Sequence, residues 1–300
     1  MALLNFRRQP AQPEERNAAL AAFLQGASIE VMPRTAEKVE DFAALLPAGT
    51  RVYVAHIAGT PIEDMVATAA RLRAEGMEPM PHFPARIIAD RATLLDWVAR
   101  YRGEADVREA LVLAGGVTDP VGDYSDSMQL LGSGAFDGFR RLHVAGHPEG
   151  NRDIDPDGGV LTVSNALAWK QAFAERTDAT VAIATQFAFE PAPVIEWAQS
   201  LHAAGITLPI HIGAAGPAKL QTLIKFAIAC GVGPSLRVLQ RRAADLTKLV
   251  VPFEPTEFLG ALAEHKAADP AFGIESVHIF PLGGIKASAE WLRTHSEDPE

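Results

Sequence analysis

Eight short apolar runs recur along the chain, each with a polar residue or a glycine at or near its end and each separated from the next by a stretch with helical spacing. They occupy 28–33 (SIEVMP), 51–57 (RVYVAHI), 77–83 (MEPMPHF), 110–115 (ALVLAG), 141–147 (RLHVAGH), 179–187 (ATVAIATQF), 208–213 (LPIHIG) and 276–282 (SVHIFPL). Near-continuous runs of Val, Ile, Leu and Ala mark strands buried on both faces, as in a parallel sheet covered by helices. Eight such runs in 300 residues predict an α/β protein, a closed (β/α)8 TIM barrel, whose chemistry sits at the carboxyl ends of its strands.

The intervening stretches predict the barrel helices. Thr35 is placed to cap AEKVEDFAALL, where Val39, Phe42, Leu45 and Leu46 recur at helical spacing. Helices are also predicted over 61–75, 91–101, 164–176, 191–204, 217–230 and 287–295, several opening on proline in the first turn. The Gly-, Asp- and Ser-rich stretch at 119–139 reads as a long loop leading into a short helix. About 60 residues separate strands 7 and 8, enough for a barrel helix and two extra helices over 236–249 and 255–267. The expectation is one catalytic domain over 1–300, with peripheral tails at 1–20 and 295–300.

Composition narrows the function classes. The formal charge of -10 argues against a nucleic-acid partner, which selects for clustered Lys and Arg. The single cysteine, Cys230, excludes an internal disulfide and reads as a packed thiol in a reducing compartment. The opening MALLNFRRQPAQPEER is too polar for a signal peptide, and no window approaches the roughly 20 apolar residues of a membrane span. A soluble cytoplasmic protein is expected, with homo-oligomerisation left open.

The polar residues at the strand ends are Glu30, His56, His82, Gly115 with Gly116, His147, Gln186 and His211. Glu30 lies between Ile29 and Val31, so alternation turns it into the barrel. A carboxyl in that apolar setting is expected to have a raised pKa and to act as a general acid. Gln186 offers two donors and an acceptor to the amide edge of a heterocycle. A ring of imidazoles with one carboxylate is also how a metal-dependent barrel hydrolase holds its ion. Against that, strand 1 carries Glu30 without a His-x-His pair, and SVHIFPLGG has no aspartate. A Schiff-base aldolase is disfavoured because strand 6 has no lysine and Lys286 alone lies near a strand end.

Several of these runs match a known family. SIEVMP, PHF, VAGHPEGN, ATQFAF and SVHIFPL, distributed over most of the chain from Ser28 to Leu292, resemble the strand motifs of the methylenetetrahydrofolate reductases, whose catalytic domain is a (β/α)8 barrel. VAGHPEGN and TQF are the most specific. The resemblance implies reduction of 5,10-methylenetetrahydrofolate to 5-methyltetrahydrofolate with hydride from NADH or NADPH, carried in that family by FAD. It implies Glu30 as the acid that opens the folate ring, with Gln186 and Phe187 holding the pterin. It places His82 beside the flavin and Ala145, His147 and Asn151 along its pocket, with Lys170 near its phosphates.

The departures cluster on the cofactor. After strand 4 the family has Leu-Arg-Gly-Asp, where this chain has Leu113, Ala114, Gly115 and Gly116. Gly115 keeps the family's glycine and is counted with the cofactor-binding residues, but the phosphate-binding arginine and the aspartate near the pterin are gone. The tyrosine and histidine of the strand-5 motif are His147 and Asn151, and Gly284 stands at an arginine position near strand 8. Two versions follow: FAD in a remodelled pocket with His56, His147 and Lys170 as new contacts, or direct hydride transfer from the nicotinamide to the folate. A non-redox tetrahydrofolate-binding or methyl-transfer partner is the reading from a different class.

Overall fold

The computed structural model describes residues 13–230, 233–243 and 252–297. The strands are β1 (Ser28–Val31), β2 (Arg51–Val54), β3 (Glu78–Pro84), β4 (Glu109–Leu113), β5 (Arg141–Gly146), β6 (Thr180–Ala188), β7 (Ile210–Ala215) and β8 (Ile274–Phe280). All pair in parallel and in sequence order into a closed barrel, which shuts where Ser28 registers with His278. Each of the eight apolar runs is a barrel strand, displaced by a few residues at its ends.

The helices in chain order are α1 (Pro13–Leu24), α2 (Pro33–Ala36), α3 (Phe42–Leu45), α4 (Ile62–Ala74), α5 (Arg91–Ala105), α6 (Ser127–Leu131), α7 (Leu161–Ala174), α8 (Pro191–Ala203), α9 (Leu220–Ala229), α10 (Gly233–Ala243), α11 (Thr256–Ala268) and α12 (Ile285–Ser296). The two extra helices between β7 and β8 are α10 and α11; residues 244–249 of the expected first one lie outside the described residues. No described helix is long and apolar enough to cross a membrane.

Two segments differ from expectation. Part of the expected amino-terminal tail is α1, which buries Leu20, Phe23 and Leu24 and packs on α11 and α12. The single helix expected after Thr35 is split into α2 and α3. Thr35 does not cap it from outside; its hydroxyl accepts from the Met32 N–H at 2.9 Å, from within the first turn. Arg71 of α4 donates to the carbonyls of Ala36, Val39 and Glu40, satisfying groups that a continuous helix would bond internally, and Asp41 caps the second piece through the Ala43 and Ala44 N–H groups.

Outward-facing strand residues such as Ile29, Val52, Val54 and Ile183 pack against the helices in the main apolar core. Inside, Tyr53, Met80, Leu111 and Ala184 form a smaller cluster. The amino-terminal end is closed by charge. Glu109, 1% exposed, takes Arg51 at 2.5 Å and Arg140 at 2.7 Å, and Glu78 takes Arg73 at 2.5 Å. Because the floor is filled with paired ions, access to the interior is left to the opposite mouth, where the βα loops gather.

Candidate active site

Glu30 sits in the carboxyl-terminal half of β1, in register with Tyr53 of β2, and alternation carries both inward. Two imidazoles converge on its carboxylate. His82 of β3 brings Nε2 to 3.2 Å from Oε2, and His278 of β8 brings Nε2 to 3.9 Å. His278 is buried, whereas Glu30 keeps 18% and His82 11% of its side-chain surface exposed, so that pair reaches the mouth. The His82 approach has ion-pair distance without the alignment of a hydrogen bond, a looseness common in unliganded catalytic sites.

Burial pushes the Glu30 carboxyl up, but the His278 and His82 imidazoles beside it outweigh that and hold the group at about 2. The raised pKa expected from an apolar surrounding is therefore not found. The reason is that β3 and β8 bring imidazoles into that surrounding. His278 is lowered by its own burial, with Glu30 opposing the shift.

Below this pair the polar character continues into the barrel. His278 Nδ1 meets the Ser28 hydroxyl at 2.9 Å. The Tyr53 phenol of β2 hydrogen-bonds His143 Nδ1. The His143 ring packs edge-on against His211 of β7, with centroids 4.5 Å apart. Burial holds His143 well below the ordinary imidazole range and His211 at about 3. Among these, His211 is the one singled out above as a strand-end residue; Ser28, Tyr53, His143 and His278 are additional. The same alternation that turns Glu30 inward also applies to RVYVAHI, RLHVAGH and SVHIFPL, and it was the available signal for them.

A second group lies between the ends of β5 and β6. His147, Asn151, Gln186, Phe187 and Cys230 line a space of ≈ 20 Å³. A register shift between Ala184 and Phe187 re-aims the end of β6, as β-bulges beside active sites do. Gln186 Oε1 accepts from the Phe187 N–H at 3.0 Å, which fixes its amide. The Phe187 ring packs against Phe189 and Phe280. Burial, with the Lys170 charge added, lowers His147 to about 4, and Asn151 approaches its Nδ1 at 3.5 Å. Burial also pushes the Cys230 thiol up, as expected of a packed thiol.

The remaining sequence-assigned residues are occupied elsewhere. His56 packs at a tilt on Trp97 of α5, with centroids 4.7 Å apart, and its Nε2 bonds the Thr60 carbonyl at 3.0 Å. That ties it to the β2–α4 loop and the outer helix. Gly115 adopts φ +97°, with the position of a Cβ only 2.9 Å from the Pro84 Cβ, and so makes a tight turn. Lys170 is buried and lowered to about 8 by that burial, and its Nζ donates to the Ala145 carbonyl at 3.3 Å.

These placements do not fit a flavin dinucleotide among the described residues. The ≈ 20 Å³ space beside His147 and Asn151 has room for about one water. The lysine meant for the phosphates is spent on a backbone carbonyl. Arg86, beside β4, is tied to the Ser125 and Val117 carbonyls. The first turn of α10, a natural phosphate site, is taken by the Glu149 carboxylate on Ser235 N at 3.0 Å. No group of three or more His, Cys, Asp or Glu among the described residues is arranged to hold a metal ion.

No protein-family model matches the chain. Among solved structures it is similar to an uncharacterised protein from Clostridium thermocellum that binds two copies of 5-methyl-5,6,7,8-tetrahydrofolic acid. The TM-score is 0.57 and the identity 9%, over 93% of this chain and 96% of that one. The likeness shows the fold. A weaker match, with TM-score 0.46 and 10% identity, is the carboxyl transferase domain of Rhizobium etli pyruvate carboxylase with pyruvate; it covers 95% of this chain and 48% of that chain, so the present chain spans about half its length.

Proposed function

We propose that the barrel takes a reduced folate at its carboxyl-terminal mouth and reduces 5,10-methylenetetrahydrofolate to 5-methyltetrahydrofolate, with NADH or NADPH as direct hydride donor. The observation that carries this reading is the Glu30 carboxylate set between two imidazoles at the mouth. Two further features support it: the strand motifs shared with the methylenetetrahydrofolate reductases, and the methyltetrahydrofolate bound by the Clostridium thermocellum protein of like fold.

The chemistry follows from that geometry. A carboxyl held at about 2 is ionised at neutral pH, so Glu30 does not store the proton by itself. It takes one up from solvent at the mouth, where 18% of its side-chain surface is exposed, and passes it to N10 of the folate. The C–N10 bond breaks with its electron pair going to N10, leaving a methylene iminium at N5. Hydride from the nicotinamide adds to the methylene carbon, giving the 5-methyl group and oxidised nicotinamide. One proton and one hydride are consumed. Glu30, again a carboxylate, then faces the cationic iminium and stabilises it electrostatically, a task the family gives to the aspartate that this chain lacks after β4. Gln186, with its amide oriented by Phe187, holds the pterin edge.

Glu30→Gln keeps the shape but neither accepts nor donates the relayed proton. Folate-dependent NAD(P)H oxidation is expected to fall by about 10²-fold or more, with nicotinamide binding largely kept; near-normal turnover removes Glu30 from the mechanism. Folate binding with no nicotinamide oxidation in the unmodified protein favours the non-redox binder instead.

A further inference from the structure

A pterin edge held by Gln186 needs room that the mouth as it stands does not offer. The space that Gln186 lines with Glu149, Phe187 and Cys230 is ≈ 20 Å³, enough for about one water, against roughly 300–1,000 Å³ for a small-molecule pocket. Part of the mouth must therefore move before a folate enters. Resting on the reading of Gln186 above, we propose that the segment 147–160 between β5 and α7 is a lid, and that the contact of Glu149 with Ser235 is the latch that holds it shut until ligand enters.

The latch is a two-point contact. Glu149 Oε2 accepts from the Ser235 N–H at 3.0 Å, and Oε1 accepts from the Ser235 hydroxyl. Ser235 is fully buried in the first turn of α10, so the carboxylate joins the loop after β5 to a helix that follows β7, with the end of β6 between them. Hydrogen bonds to a carboxylate are the stronger kind. These two are also opposed: burial pushes the Glu149 carboxyl up, the Glu190 carboxylate acts in the same direction, and Ser235 and Arg237 offset only part of this. Release of Glu149 into water recovers the cost of its burial, which makes the latch reversible.

The other polar contacts of the segment are internal or lead to α7. Asn151 Oδ1 takes the Asp153 N–H at 2.9 Å, and Asp157 Oδ1 takes the Gly159 N–H at 2.9 Å. Asp155 takes the Thr162 and Val163 N–H groups at 2.9 and 3.1 Å, which pins the far end to the first turn of α7. All of these survive a displacement of the loop away from β6, because both partners of each lie in the loop or at its root. The Glu149 contact does not survive it. That is the arrangement of a lid with a separable catch, and lids of this kind exclude water from a reacting site and commit the substrate.

Amide hydrogen exchange on the unliganded protein near neutral pH, read over peptides from 147–160, reports the latch without any substrate. Glu149→Ala removes both hydrogen bonds and should speed exchange there about tenfold, the equivalent of a hydrogen bond to a charged group, with the barrel strands unchanged. Ser235→Ala removes the hydroxyl donor alone; it should speed exchange about threefold and serves if the first variant does not fold. The ligand probe is 5-methyltetrahydrofolate, whose association rate by stopped flow should rise about tenfold in Glu149→Ala, because a larger fraction of the protein is open to it. A loop with a structural role only would bind the probe no faster when loosened. Exchange over 147–160 that is unchanged in both variants overturns the proposal, and so does faster exchange with an association rate that is unchanged or lower. Absence of 5-methyltetrahydrofolate binding in the unmodified protein and in both variants overturns the folate reading instead, while the exchange arm still decides whether Glu149 holds the segment.

Discussion

Glu30 shows how far a single residue can be read from its neighbours in sequence. The Ile29–Glu30–Val31 alternation gives its direction, and PHF gives His82 the same face on β3. The sign of the pKa shift was not legible, because it depends on His278, a residue brought alongside only when the last strand closes the barrel on the first. Ser28 and His278 are separated by 250 positions yet hydrogen-bonded. His56 illustrates the opposite outcome: a polar residue at a strand end that turns outward. Since its ring is spent on Trp97, His56→Ala is expected to lower the thermal midpoint through lost packing while leaving the folate KM unchanged. A large rise in KM would bring His56 back to the mouth. Gln186→Ala should do the reverse, raising KM for the folate with little loss of kcat in steady-state kinetics.

At the scale of elements, the strands were legible because eight doubly buried runs leave few other solutions, and most helices because their apolar positions recur at helical spacing. The break between α2 and α3 was not, since it is enforced by the Arg71 guanidinium from the next helix. The bulge in β6 was equally hidden. It depends on Gly213 of β7, where an added Cβ would lie 2.5 Å from the Thr185 carbonyl oxygen and 2.8 Å from the Gln186 carbonyl carbon. Both neighbours are backbone, so β6 itself must move. Gly213→Ala is expected to destabilise the fold by about 1–3 kcal/mol and to raise the folate KM by displacing Gln186. Denaturant titration and steady-state kinetics check the two parts, and an unaltered KM would separate the bulge from substrate binding.

The whole molecule combines an apolar shell, a charged floor and a polar axis, and that axis makes it sensitive to acid. His211, held at about 3, stays neutral in the folded protein, whereas an unfolded histidine takes up a proton near pH 6.5. Below that value the unfolded chain binds more protons, so the contribution is full above about pH 6.5 and is lost at about 1.4 kcal/mol per pH unit as pH falls toward 3. His143, lowered in the same direction, adds to the loss. Glu30 acts lower, its stabilisation present above the unfolded carboxyl value of about 4.3 and lost as pH falls toward about 2. The urea midpoint should therefore drop steadily from pH 7 to pH 5, and an unchanged midpoint would contradict the neutral buried histidines.

The reduction itself is tested most directly under anaerobic conditions with no added flavin, using NADH or NADPH deuterated at the transferable C4 position together with 5,10-methylenetetrahydrofolate. The account predicts nicotinamide oxidation only when the folate is present, and a 5-methyl group that carries the deuterium without loss to solvent. Folate-independent oxidation, no oxidation with either nucleotide, or a methyl group whose label has exchanged with water would contradict direct hydride transfer in this barrel.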